Sequence, residues 1–226
     1  LLSELRGHPA AVISSFMRGN LLSNGFAPEL IRLISPVVED AVPHGQFMPD
    51  GKLRLLFLGQ LIRGKGCDLL LEAAAELNIP FFLTIAGDGA DRARLERQCA
   101  SLGLTENVRF AGWQSAPAEL FAQTDLLVFP SRWQEPFGLS GLEAQAHGVP
   151  AVAFRNGGVA EWLVDGVTGL SVAGMDVAGF AKAVERFAME PELLKIMGAH
   201  SYHNAVLKFT PERFIAAVRK LMEELQ

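Results

Sequence analysis

"LLVFPSRWQEPFGLSGLEAQAHGVPAVAF", residues 126–154, carries the reading on which the fold turns. Its ends, Leu126–Phe129 and Ala151–Phe154, are short unbroken apolar runs. Runs of that kind, rather than alternating ones, suit strands buried on both faces of a parallel sheet. Between them, Pro130, Pro136 and Gly138 mark a loop, and residues 139–147 read as a helix. Strand, loop, helix, strand is one βαβ unit. Pro136 pushes Glu135 out of the α region. Glu143 falls in the second turn of the helix, eight positions after Glu135.

The same unit repeats outward from this stretch. Further strands are expected at Leu53–Leu58, Phe81–Ala86, residues 108–110 and Gly169–Val172. Helices are expected at residues 66–77, 91–102 and 116–123. In the first of these, Leu69, Leu70, Ala73, Ala74 and Leu77 form one apolar stripe. Alternating β and α with short loops predicts an α/β fold, a doubly wound, Rossmann-like parallel sheet of six strands with right-handed crossovers. Such sheets bind ligands at the carboxyl ends of their strands. The tail reads as helices over 176–187 and 190–199, then a last helix with Thr210 as N-cap and Pro211 in its first turn. The head reads as strand 11–14, helix 15–24 and strand 31–35, followed by a linker at "VPHGQFMPDGK", residues 42–52.

Composition narrows the function. The 226 residues carry a net charge of −5, which argues against a dedicated nucleic-acid binder. No apolar run approaches the roughly 20 residues of a membrane-spanning helix. Cys67 and Cys99 are the only cysteines and stand in no metal-binding spacing, so they read as free thiols of a cytoplasmic protein. The start, "LLSELRGHP", reads as a chain cut from a longer protein.

Four loops could carry chemistry. "GQLIRGKG", residues 59–66, places three glycines, Arg63 and Lys65 between a strand and a helix. It suits a phosphate or diphosphate, and equally a solvated turn; it lacks the Walker spacing. "AGDGADR", residues 86–92, is a partial dinucleotide fingerprint, and a tight turn with Asp91 as N-cap is the favoured reading. In "EPFGLSGLE" the helix start beside Gly138 is itself an anion site. There Glu135 and Glu143 would either accept hydroxyls on the two sides of an anion, or simply favour the helix dipole and face solvent. Gly157 and Gly158 either admit a ligand closely or form an ordinary turn. The five histidines, His8, His44, His147, His200 and His203, read as structural, and no metal set or nucleophile elbow is present.

These blocks, over residues 53–172, resemble the C-terminal, donor-binding domain of a retaining group 4 glycosyltransferase of the GT-B fold. The residues that carry the resemblance are "FLGQLIRGKGCDLLLEAAAEL", "LTIAGDGADRARLERQCASLGLTENVRFAGW", the opening stretch and "GGVAEWLVDGVTGL". The resemblance implies transfer of a hexosyl group from a nucleotide diphosphate sugar, with UDP and GDP both open, and with no metal or other cofactor. It gives Glu135 and Lys65 the catalytic positions, Glu135 on the sugar hydroxyls and Lys65 on the diphosphate. Phe137, Gly138 and Leu139 would lie along the sugar and diphosphate through their backbone. Glu143 would hold the ribose. Gly59 and Gly87 would bind the nucleotide, and the segment 109–113, with Phe110 and Trp113, would flank the nucleobase, largely through main chain. Gln60 departs from the pattern, because the family usually carries a second cation there; Arg63 is the candidate replacement. The resemblance also divides the chain, with residues 1–45 as a remnant of an N-terminal domain plus linker and 46–226 as the donor domain. The acceptor, a sugar, lipid or polysaccharide, would sit on the missing domain, with peripheral membrane contact of a full-length protein left open. The chain alone is then expected to bind donor weakly and transfer nothing measurable. The alternatives are one half of a nucleotide-sugar epimerase, or a dinucleotide- or nucleotide-binding module without catalysis.

Overall fold

The structure is a computed structural model and describes residues 2–38, 42–43, 47–48 and 50–224. His44, part of the expected linker and the expected domain boundary at 45–46 lie outside the described residues.

The chain begins with a short helix α1 (Leu2–Leu5), strand β1 (Ala10–Val12), helix α2 (Ser15–Ser23) and strand β2 (Ile31–Leu33). β1 and β2 pair in parallel as a separate two-stranded sheet. Ser14 caps α2 by accepting from the Met17 N–H at 3.0 Å. Val12, Phe26 and Ile31 form a small core beneath α2.

The main body then runs β3 (Leu53–Leu58), α3 (Cys67–Ala75), β4 (Phe81–Ala86), α4 (Arg92–Ser101), β5 (Val108–Gly112), α5 (Ala118–Phe121), β6 (Leu126–Phe129), α6 (Leu139–Ala146), β7 (Ala151–Phe154) and β8 (Gly169–Val172). Three helices close the chain: α7 (Val177–Met189), α8 (Glu192–Lys208) and α9 (Pro211–Glu224). β3 to β8 form one parallel sheet of six strands in the order β5-β4-β3-β6-β7-β8. The expected fold is the observed one. β6 and β7 are buried at every position, as their unbroken apolar runs require. Leu70, Leu71, Leu95, Phe180 and Phe187 from α3, α4 and α7 cover one face. Phe121, Leu142 and Ala205 from α5, α6 and α8 cover the other. The winding reverses between β3 and β6, so their carboxyl ends frame the crevice where such sheets take ligands.

Some expectations need correcting. β5 continues to Gly112, because a register shift in β4 pairs Ala86 with Gly112. α8 does not stop near residue 199 but runs to Lys208. Its polar residues are satisfied across the fold: the Ser201 hydroxyl donates to the Thr168 carbonyl at 3.0 Å, and the Asn204 amide donates to Gln145 Oε1 at 2.8 Å. Asp91 does not cap α4 through its side chain, which pairs instead with Arg94 at 2.8 Å.

Candidate functional site

Two loops meet where β3 and β6 end. Residues 59–66 follow β3 and include a 3-10 turn, Arg63–Lys65; residues 130–138 follow β6. Their backbones touch. Gly66 holds φ at +71°, and a Cβ there would lie 1.9 Å from the Pro130 carbonyl oxygen, so only glycine fits. Arg132 ties the loops again. Its guanidinium donates to both carboxylate oxygens of Asp68, at 2.5 and 2.9 Å, and to the Arg63 carbonyl at 2.9 Å. Burial works to raise the Asp68 carboxyl, but the hydrogen bonds and charge of Arg132 hold it below its ordinary value.

A cavity of about 580 Å³ opens at this junction. Gly59, Gln60, Lys65, Gly87, Trp113, Glu135, Phe137, Gly138, Leu139 and Glu143 all line it, so most of the expected site is brought together. Two expected residues are not. Arg63 is exposed outside the lining, and Phe110 packs against the main core. Lys65 is therefore the one cation on the lining among the described residues, and the lining also carries the carboxylates of Asp88, Glu135 and Glu143.

Lys65 and Glu135 are bonded to each other. Lys65 Nζ donates to Glu135 Oε1 at 2.7 Å and to Oε2 at 3.0 Å. The Ser131 hydroxyl donates to Oε1 at 2.5 Å. Glu135 is 3% exposed and Ser131 2%. A carboxylate so removed from water needs such partners. Glu143 is half-buried on the next turn, and burial pushes its carboxyl above the ordinary value. No side-chain hydrogen bond or ion pair engages it among the described residues. Gly138, the N-cap of α6, holds φ at +94° and offers no side chain, so the N–H groups of the first turn have no capping side chain at the cavity wall.

The backbone under this loop is set by what lies behind it. Gly157 and Gly158 do not open the cavity to a ligand. They receive the loop instead: a Cβ on Gly157, at φ +58°, would lie 2.4 Å from the Glu135 carbonyl oxygen, and the Gly158 N–H donates to that oxygen at 2.6 Å. Trp162, fully buried, donates its indole N–H to the Phe137 carbonyl at 2.9 Å. Its ring leaves no room for a side chain at Gly141, where a Cβ would come within 2.2 Å. The Gln145 amide donates to the Trp162 carbonyl at 2.7 Å from a fully buried position. Ser131, Trp162, Asp88, Gln114, Ser140 and the head residue Ile13 belong to the site or its support and escaped the sequence reading. Ser131, Asp88 and Gln114 stand in strand-end loops that the sequence marks, and Ser140 in the helix start that follows one, whereas Trp162 and Ile13 carry no such signal. No group of three or more His, Cys, Asp or Glu side chains converges to hold a metal among the described residues.

Residues 40–204 match the family described as glycosyl transferases group 1. The chain belongs to that family. Among curated relatives, this group 1 glycosyltransferase chain is 33% identical over 168 residues to the lipopolysaccharide core biosynthesis glycosyltransferase LpsE of Rhizobium meliloti, covering 74% of this chain and 49% of that protein. It is 36% identical over 162 residues to the GDP-mannose-dependent alpha-(1-6)-phosphatidylinositol monomannoside mannosyltransferase of Mycolicibacterium smegmatis, covering 66% and 42%. The chain thus spans about half the length, or less, of these relatives. Among solved structures, Anabaena Alr3699/HepE in complex with UDP-glucose superposes with a TM-score of 0.86 at 21% identity, over 95% of this chain and 64% of that one. The shared fold is that of the C-terminal Rossmann-like domain of GT-B glycosyltransferases.

Proposed function

We propose that this chain is the donor-binding half of a retaining glycosyltransferase that moves a hexosyl group from a nucleotide diphosphate sugar to an acceptor without a metal ion. One observation carries the reading: Lys65, Glu135, Glu143 and the start of α6 converge on one cavity at the switch point of the sheet. The cavity offers a cation and unspent backbone N–H groups to a diphosphate. It offers two carboxylates to hydroxyls. A nucleotide sugar presents those groups in that order, with ribose on one side of the diphosphate and hexose on the other.

Departure of the nucleoside diphosphate builds negative charge on the β-phosphate. Lys65 and the first turn of α6 stabilise that charge; a preorganised donor of this kind contributes about 3 kcal/mol where water is excluded. Glu143 accepts the ribose hydroxyls and Glu135 those of the sugar. The names of the relatives speak of lipopolysaccharide core and of a lipid-linked mannoside. They support a sugar, lipid or polysaccharide acceptor, and the reading sets the whole enzyme in the cytoplasm with peripheral membrane contact. Calorimetry with UDP, GDP and NAD tests the reading. Binding of UDP or GDP is the expected result; binding of NAD with neither of them would overturn it.

A further inference from the structure

We propose that Glu135 gates Lys65, and that this gate sets a preference for nucleoside diphosphates that carry a sugar over the bare nucleoside diphosphate. The inference rests on the reading of the cavity given under Proposed function. Lys65 is the one cation among the described residues of a lining that also carries Asp88, Glu135 and Glu143; it pairs with Glu135, while Asp88 pairs with Arg92 at 3.1 Å. Gln60 adds no charge, and Arg63 lies outside the lining. A diphosphate therefore has one cation to find, and both oxygens of Glu135 already hold it, at 2.7 and 3.0 Å.

An ammonium has three N–H donors. Both oxygens of Glu135 engage this ammonium, so a phosphate must share it with the carboxylate or draw Lys65 away. Drawing it away leaves a carboxylate that is 3% exposed with the Ser131 hydroxyl as its remaining donor. Breaking a buried pair from one side is strongly unfavourable, because the other charge stays buried and unpaired. A bare nucleoside diphosphate has nothing to offer Glu135 in return. A sugar on the β-phosphate has hydroxyls, which donate to the same carboxylate and replace what Lys65 gave up. The sugar thus opens the gate that its own diphosphate needs opened. After transfer the hydroxyls leave with the acceptor, Glu135 reclaims Lys65, and the nucleoside diphosphate is released. Were Glu135 only a strut of the loop, it would affect bare and sugar-bearing nucleotides alike.

The experiment is calorimetric titration of the protein and its Glu135→Gln variant with UDP, UDP-glucose, GDP and GDP-mannose. The unaltered protein is expected to bind a sugar-bearing form more tightly than the matching bare one. In E135Q the bare form should bind about tenfold tighter than before, and the preference for the sugar form should shrink or invert. If E135Q keeps the original preference, with bare affinity unchanged or lower, the gate is wrong while the proposed function stands. If the unaltered protein binds none of the four, both are overturned. Should E135Q fail to give a cooperative thermal transition, Glu135→Asp, whose shorter side chain reaches Lys65 less well, is judged by the same two outcomes.

Discussion

Glu135 and Trp113 line the same cavity, yet Glu135 is 3% exposed and Trp113 72%. Glu135 is held by Lys65 and Ser131 through its carboxylate and by Gly158 through its carbonyl, with Trp162 fixing the next turn of backbone. After β5, by contrast, the wall carries one side-chain tie, the Gln114 amide to the Ala111 carbonyl at 2.9 Å. The wall assigned to the diphosphate and sugar is thus preorganised, and the wall assigned to the base is open. Substitutions on the first wall should cost stability and binding together. Substitutions on the second should cost binding alone.

The largest effect is expected from Trp162→Ala, which removes a fully buried indole and the donor to Phe137. It should lower stability by about 3–5 kcal/mol in denaturant unfolding. Gly157→Ala should cost about 1–3 kcal/mol for a side chain at positive φ, and more as the Glu135 loop gives way. Nucleotide binding should weaken in the same variant, and if it does not, the loop is less tightly set than described. Glu143→Gln should weaken nucleotide binding about tenfold with little change in unfolding. It also tests a pH effect. Burial raises the folded pKa of Glu143 from 4.5, so the carboxylate takes its proton earlier as pH falls. Affinity should therefore decline on the acid side at a higher pH than an exposed glutamate would set, and E143Q should remove that limb. Trp113→Ala is the smallest. Stability should stay within about 0.5 kcal/mol, while affinity falls roughly threefold through loss of the indole's apolar area on the cavity wall. An equal loss of stability there would erase the contrast between the walls.

The same contrast explains what the sequence disclosed. β3, β4, β6, β7 and β8 fall at their expected bounds because unbroken apolar runs end in glycine, proline or polar residues. β5 was cut short because its last residues pair through an irregular register, which no local pattern encodes. α8 runs past its expected end at residue 199 because Ser201 and Asn204 find partners at Thr168 and Gln145, which lie far away in sequence. Most site residues were legible, since each stands at a strand end beside glycine or proline. Their couplings were not. Lys65 and Glu135 are 70 positions apart and were read as two separate roles. The local pattern at Gly157 and Gly158 fits a ligand contact and a turn equally well, and only the fold shows that they seat the Glu135 backbone.

The tryptophans give the site an optical property. The chain has three. Trp113 stands on the rim, Trp133 has Lys65 Nζ 5.9 Å from its ring centroid, and Trp162 lies beneath the start of α6. Every indole emitter in the protein is thus attached to one cavity, at three depths of water exposure. Intrinsic fluorescence excited at the red edge therefore reports this cavity almost alone. A nucleotide entering it should quench the exposed Trp113, alter Trp133 as Lys65 moves, and leave the emission of Trp162 in place as an internal reference.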